Sequence, residues 1–180
     1  MLLDMDAKNT ELHTMRWELL WGAQKSQRYH SCRMAFFDRC NTLSSFIGLL
    51  GASAVVASFG KYTAEWMAVA GAVTVHFITT SINLVAGTAQ MARIHSDLRR
   101  RFSQLESDIV KHPDSTQEQV SAWTAQRLEI ESDEPPIFVA LDILCENQVT
   151  RSYAHLKDHP SRKLPWFKRF TAQWLTWGNA

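Results

Sequence analysis

The sequence has few of the residues that staple, break or hinge a chain. Three cysteines in 180 residues are too sparse, and odd in number, for a disulfide scaffold. Five prolines and seven glycines leave long stretches uninterrupted; Asp6 to Cys40 holds no proline and one glycine, Gly22. Neither sign of charge dominates. Nineteen Lys and Arg against 18 Asp and Glu give a net charge of +1, which argues against bulk electrostatic binding to nucleic acid. An apolar fraction of 46% at near-zero net charge excludes an intrinsically disordered chain. Motifs of chemistry are missing as well: there is no glycine-rich phosphate loop, no His-Glu-x-x-His and no Cys-x-x-Cys. His155 and His159 stand four apart, but no third ligand accompanies them and Pro160 marks a solvated turn. No cofactor, no metal and no catalytic group is expected, and the chain reads as a non-enzyme.

The charge that is present is unevenly placed. Residues 40–92 hold only Lys61 and Glu65. The uncharged run from Cys40 to Gly60 would reach roughly 31 Å as a helix, about one hydrocarbon core. A second run, between Glu65 and Arg93, is long enough to span with some tilt. Lys61–Glu65 reads as the loop between them, with Tyr62 and Trp66 at the turn, where interfacial aromatics are favoured. This pattern predicts a two-helix transmembrane hairpin; the alternative is a buried helical hairpin in a soluble core. Arg28, Arg33 and Arg39 flank the first run and Arg93, Arg99, Arg100 and Arg101 follow the second, so the positive-inside rule places both termini in the cytoplasm. Mixed charges precede the first run, unlike a signal peptide. Cys32 and Cys145 then sit in a reducing compartment and Cys40 at the membrane edge, all as structural thiols.

The remainder reads as helix. Leu12, Met15, Leu19, Ala23, His30, Met34 and Phe37 recur mostly at three- and four-residue steps, on a helix that runs into the first span. Met91, Ile94, Leu98, Phe102, Leu105 and Ile109 recur at 3-4-4-3-4, a heptad-like seam ending at His112-Pro113. Ser115-Thr116-Gln117-Glu118 fits a capping box that starts another helix, and Pro135-Pro136 stops it. Pro136 can open the next helix, which runs from Ile137 to about Tyr153. The expected fold is an all-α membrane protein: an N-terminal cytoplasmic helix (1–39), a two-span hairpin (40–92), cytoplasmic helices (93–134), and a helix with an aromatic and basic tail (135–180) ending in an amphipathic helix.

Two sets of residues carry candidate function. In the second span, Ala72, His76, Thr80, Asn83, Gly87 and Gln90 share one helical face. They either pack on the small-residue groove of Ser44, Gly48 and Ala52 or line a path in an oligomer. Two spans cannot enclose a channel, so a path requires a ring of copies. In the tail, Trp166, Phe167, Phe170, Trp174 and Trp177 are interleaved with Lys168 and Arg169, a composition that suits the headgroup region of a bilayer. Residues 135–180 carry six basic and three acidic groups, whereas residues 88–134 carry six basic and nine acidic. The basic tail can therefore rest on anionic lipid or on the chain's own acidic middle. The expected partners are the lipid bilayer and further copies of the chain, and not nucleic acid.

The succession of long helix, two runs, long helix, then Asp133-Glu134-Pro135-Pro136-Ile137, Ala140-Leu141-Asp142, Leu144-Cys145, Asn147 and Leu164-Pro165-Trp166 resembles the SLATT family of bacterial two-transmembrane proteins. The resemblance implies an inner-membrane effector of bacterial anti-phage conflict, forming pores when triggered by a separate sensor or phage component, and it supplies no catalytic residues. A membrane-anchored interaction or sensor protein without a pore, and a holin-like lysis protein, are the alternatives.

Overall fold

A computed structural model describes residues 2–58, 70–71, 73–78, 80, 87–153 and 160–177. Within them the labelled helices are α1 (Leu2–Ser58), α2 (Thr88–Lys111), α3 (Gln117–Ser132), α4 (Val139–Ser152) and α5 (Trp166–Phe170), and residues 70–71, 73–78 and 80 are also helical. No strand occurs among the described residues. The chain divides into two compact units, Met1–Cys32 with His95–Ala180, and Arg33–Ile94.

The all-helical expectation holds, and the membrane hairpin does not. α1 runs without a break from the N-terminal helix through the first uncharged run, as the absence of proline permits. Yet no helix among the described residues is long and apolar enough to cross a membrane. The physical reason lies in what dilutes the run: Asn41, Thr42, Ser44, Ser45, Gly48, Gly51 and Ser53 alternate with its apolar side chains. The Lys61–Glu65 loop and residues 66–69, 72, 79 and 81–86 of the second run lie outside the described residues. The expected C-terminal amphipathic helix is also corrected: α5 has five residues and passes into a turn at 171–174.

The first unit is built on the two predicted stripes. Leu19, Ala23 and His30 of α1 are buried, as are Leu98, Phe102, Leu105 and Ile109 of α2. Side chains at three- and four-residue steps share a helix face, so each helix has one continuous side to bury. Polar contacts along this pairing fix its register. Arg16 of α1 donates from Nε to the His112 carbonyl at 3.2 Å and from Nη2 to the Ile109 carbonyl at 3.0 Å, satisfying carbonyls that the end of α2 leaves open. Gln24 and Gln27 donate to the two carboxylate oxygens of Glu106, the first at 2.6 Å.

α3 starts one residue later than the expected capping box. Thr116, not Ser115, is the cap: its hydroxyl accepts from the Gln119 amide, and the Gln119 side chain accepts from the Thr116 amide. Its Val120, Trp123 and Ile130 are buried. Pro135-Pro136 do end this stretch, but α4 begins at Val139 rather than at Ile137: the Phe138 backbone is extended (φ −85°, ψ 100°) and caps the helix, and its amide donates to the Tyr29 hydroxyl at 3.0 Å. A core cluster of Tyr29, Ala140, Leu141, Cys145 and Ala172 then ties α1, α4 and the segment after α5 together.

Phe102 has no exposed surface and stacks on the His30 ring at 5.6 Å between centroids. Phe102→Ala is expected to destabilise the first unit by about 3–5 kcal/mol, read from the midpoint of urea unfolding. A loss under about 1 kcal/mol would mean that this seam does not carry the unit's core.

Candidate functional site

The second unit contains the predicted polar face. His76 lies against Gly48: a Cβ built on Gly48 would stand 3.3 Å from His76 Nδ1, so the glycine makes room for the imidazole. His76, Thr80 and Gln90 are exposed, and Ser44, Gly48 and Gly87 are partly so. Gly87 takes a left-handed backbone angle of 52°, a turn conformation open to glycine, just ahead of α2. Ala72 and Asn83 lie outside the described residues, and Ala52 is placed by its backbone in α1. The structure thus brings one pair of the predicted set together, His76 with Gly48. Around them the large apolar side chains face outward, among them Leu43, Phe46, Leu49 and Leu50 of α1 and Val73, Val75, Phe77 and Ile78.

The tail of the first unit divides the predicted interface residues into two groups. Trp177 turns inward, packs at the edge of the core cluster and donates from Nε1 to the Thr171 hydroxyl at 3.0 Å. Phe167 meets its ring at 5.5 Å between centroids, and Lys168 Nζ lies 5.5 Å from the same centroid. Trp166, Phe170 and Trp174 face outward; Trp166 and Phe170 are each 80% exposed. Arg169 is exposed beside them. The buried Ala172 anchors this turn, which is what allows a five-residue helix to present two bare aromatic rings.

The sequence reading missed a buried polar cluster. His95, which beside Asp97 reads in the sequence as a surface position, is buried. Its Nδ1 lies 2.9 Å from Nδ1 of buried His30, whose Nε2 lies 3.1 Å from a Glu134 carboxylate oxygen. With His30 neutral, the carboxylate fixes the tautomers: it only accepts, so His30 Nε2–H donates to it, His30 Nδ1 accepts, and His95 Nδ1–H donates. A signal for His95 was present, since His95, Leu98, Phe102, Leu105 and Ile109 fall at 3-4-3-4. No group of three or more His, Cys, Asp or Glu among the described residues is arranged to hold a metal ion.

A second missed feature is the Cys32–Cys145 pair. Cys145 is fully buried and Cys32 packs against its cluster. A hydrogen bond with Cys32, and then burial, push the Cys145 thiol well above its ordinary value. Burial likewise raises Tyr153, against the lowering effect of its hydrogen bond to Gln24.

No protein-family model, curated protein or solved structure matches the chain. The functional reading rests on these sites.

Two predictions follow from the buried groups. His95→Leu strips a buried His30 nitrogen of its partner and is expected to cost about 1–3 kcal/mol. The double variant His30→Leu/His95→Leu should cost less than the sum of the two single variants by urea unfolding, and simple additivity would refute the coupling. The folded state holds the Cys145 proton more tightly than the unfolded chain does. Its stabilising contribution is therefore full below the ordinary thiol value of 9.0 and is lost as pH rises beyond it. Cys145→Ala is expected to flatten the fall in stability measured between about pH 8 and about pH 10; an unchanged slope would assign that fall to other groups.

Proposed function

We propose that the chain is a helical effector that works at the cytoplasmic face of a bacterial inner membrane, as one copy in a homo-oligomer. The observation that carries the reading is the outward placement of Trp166 and Phe170, each 80% exposed, on a short helix that also bears Arg169 and follows Lys163. Large aromatic rings cost free energy in water, and beside cations they suit the headgroup layer of an anionic leaflet. The second unit supports self-association. Leu49 at 65% and Phe77 at 70% exposure are among several large apolar side chains of this unit that face outward, surface that a partner copy would cover. The pore expectation rested on a transmembrane hairpin; without one, the reading narrows to surface binding and association. The role in anti-phage conflict, triggered by a separate sensor or phage component, is supported by the resemblance of the 133–147 stretch to SLATT proteins. It assigns no reaction and no cofactor to the chain.

Flotation of the purified full chain with vesicles tests the membrane part. The chain is expected to float with vesicles containing phosphatidylglycerol. Trp166→Ala/Phe170→Ala should weaken this by roughly tenfold or more with an unchanged melting temperature. A chain that stays at the bottom of the gradient with vesicles of every composition, and sediments as a monomer, would sink the reading.

A further inference from the structure

The exposed aromatics follow in sequence on a segment that lines a cleft rich in cations. It lies between α4 and the segment leading into α5, has a volume of about 340 Å³, and is lined by the cations Arg151, Arg162, Lys163 and Arg169, with Leu144 and Leu164 as its main apolar lining. No carboxylate among the described residues lines it. The cleft is built rather than incidental. The Asn147 side chain grips Arg162 at both backbone groups: its Nδ2 donates to the Arg162 carbonyl at 2.8 Å, and its Oδ1 accepts from the Arg162 amide at 2.9 Å. This pins the 161–164 segment across α4 and brings Arg162 and Lys163 to the same cleft as Arg151, in the last turn of α4. Arg162 also reaches Glu146 at 3.4 Å; Arg151, Lys163 and Arg169 form no ion pair with a carboxylate among the described residues.

Holding four cations together with a single carboxylate, Glu146, beside one of them is unfavourable unless an anion neutralises the rest. Guanidinium groups offer paired donors that match the oxygens of a phosphate, and a lysine adds a compact positive charge. The volume suits a single headgroup-sized ligand. We propose that this cleft binds a phosphate group, that of an anionic phospholipid headgroup, with Trp166 and Phe170 entering the interface beside it. The proposal rests on the membrane reading above for the source of the phosphate, and on the cleft alone for the chemistry.

The test uses the full chain, a double variant Arg151→Gln/Arg169→Gln, and a control Arg99→Gln/Lys111→Gln that removes the same charge away from the cleft. Each is measured against phosphatidylcholine vesicles with and without phosphatidylglycerol, and by calorimetry against inorganic pyrophosphate. The wild type is expected to prefer the anionic vesicles. The cleft variant should lose roughly fivefold in affinity per cation removed, and the control much less. Equal losses in variant and control would overturn the cleft and leave the membrane reading standing. Pyrophosphate binding that the cleft variant abolishes, with no vesicle binding at all, would support a phosphate cleft and overturn its lipid source. No binding to either probe would overturn both. Melting temperatures of the two variants, matched to wild type, show that the cleft is still formed.

Discussion

Three separate segments of the first unit meet at His30, and the acceptor-only nature of one carboxylate orders them. Glu134 sits in the loop after α3, His30 on α1 and His95 on α2. Because the chain of donors runs one way, each group has a defined role, and a buried polar group without its partner would cost more than the bond returns. The network therefore specifies a register more than it adds stability. α1 and α2 could slide along an apolar seam by one turn at moderate loss, but not while His30 must face both His95 and Glu134. Phe102, stacked on the His30 ring, converts that polar constraint into a packing one.

The same register fixes the rest of the unit. With α1 held, Tyr29 reaches the Phe138 amide, and Lys25 reaches Asp142 at 3.0 Å. Gly22 faces the Arg127 guanidinium of α3, where a Cβ would stand 3.2 Å from Nη1, while the same Arg127 reaches Glu131 at 2.6 Å. Apart from the Arg127–Glu131 pair within α3, each contact joins α1 to a later element, so α1 acts as the spine on which the others are placed. Placing α4 in turn places Asn147, whose amide seats the 161–164 segment and so assembles the basic cleft.

Local periodicity was legible, and anything requiring two distant segments was not. The stripes from Leu12 to Phe37 and from Met91 to Ile109 follow from one helix at a time, and their central members are buried. The cap of α3 was displaced by one residue because Ser115 and Thr116 are both competent, and only the partner three residues on separates them. His95 was misplaced because its neighbours Ser96 and Asp97 are polar, although its own spacing put it on the seam. The membrane hairpin was read from absence of charge, which is not the same quantity as apolarity: hydroxyls and glycines interrupt the first run, and no helix among the described residues is long and apolar enough to cross a membrane. The cleft was beyond reach, since Asn147 and Arg162 are joined only by the fold.

The two outward-facing surfaces differ in chemistry, and the difference argues for different partners. The tail combines rings with cations, and Arg151, Lys163 and Arg169 form no ion pair with a carboxylate among the described residues, so an apolar partner alone would leave them uncompensated and a purely ionic one would leave Trp166 and Phe170 in water. The proposed phospholipid surface, anionic and apolar at adjoining depths, would satisfy both. The second unit offers no such pairing of charge with ring at Leu43, Phe46, Leu49 and Leu50 or at Val73, Val75, Phe77 and Ile78. Aliphatic surface of that kind is matched by more of itself, which is what a second copy supplies. A protein held at a bilayer by one unit and to its copies by the other would gain effective concentration for association from the act of binding, so that recruitment and assembly reinforce each other without any further contact.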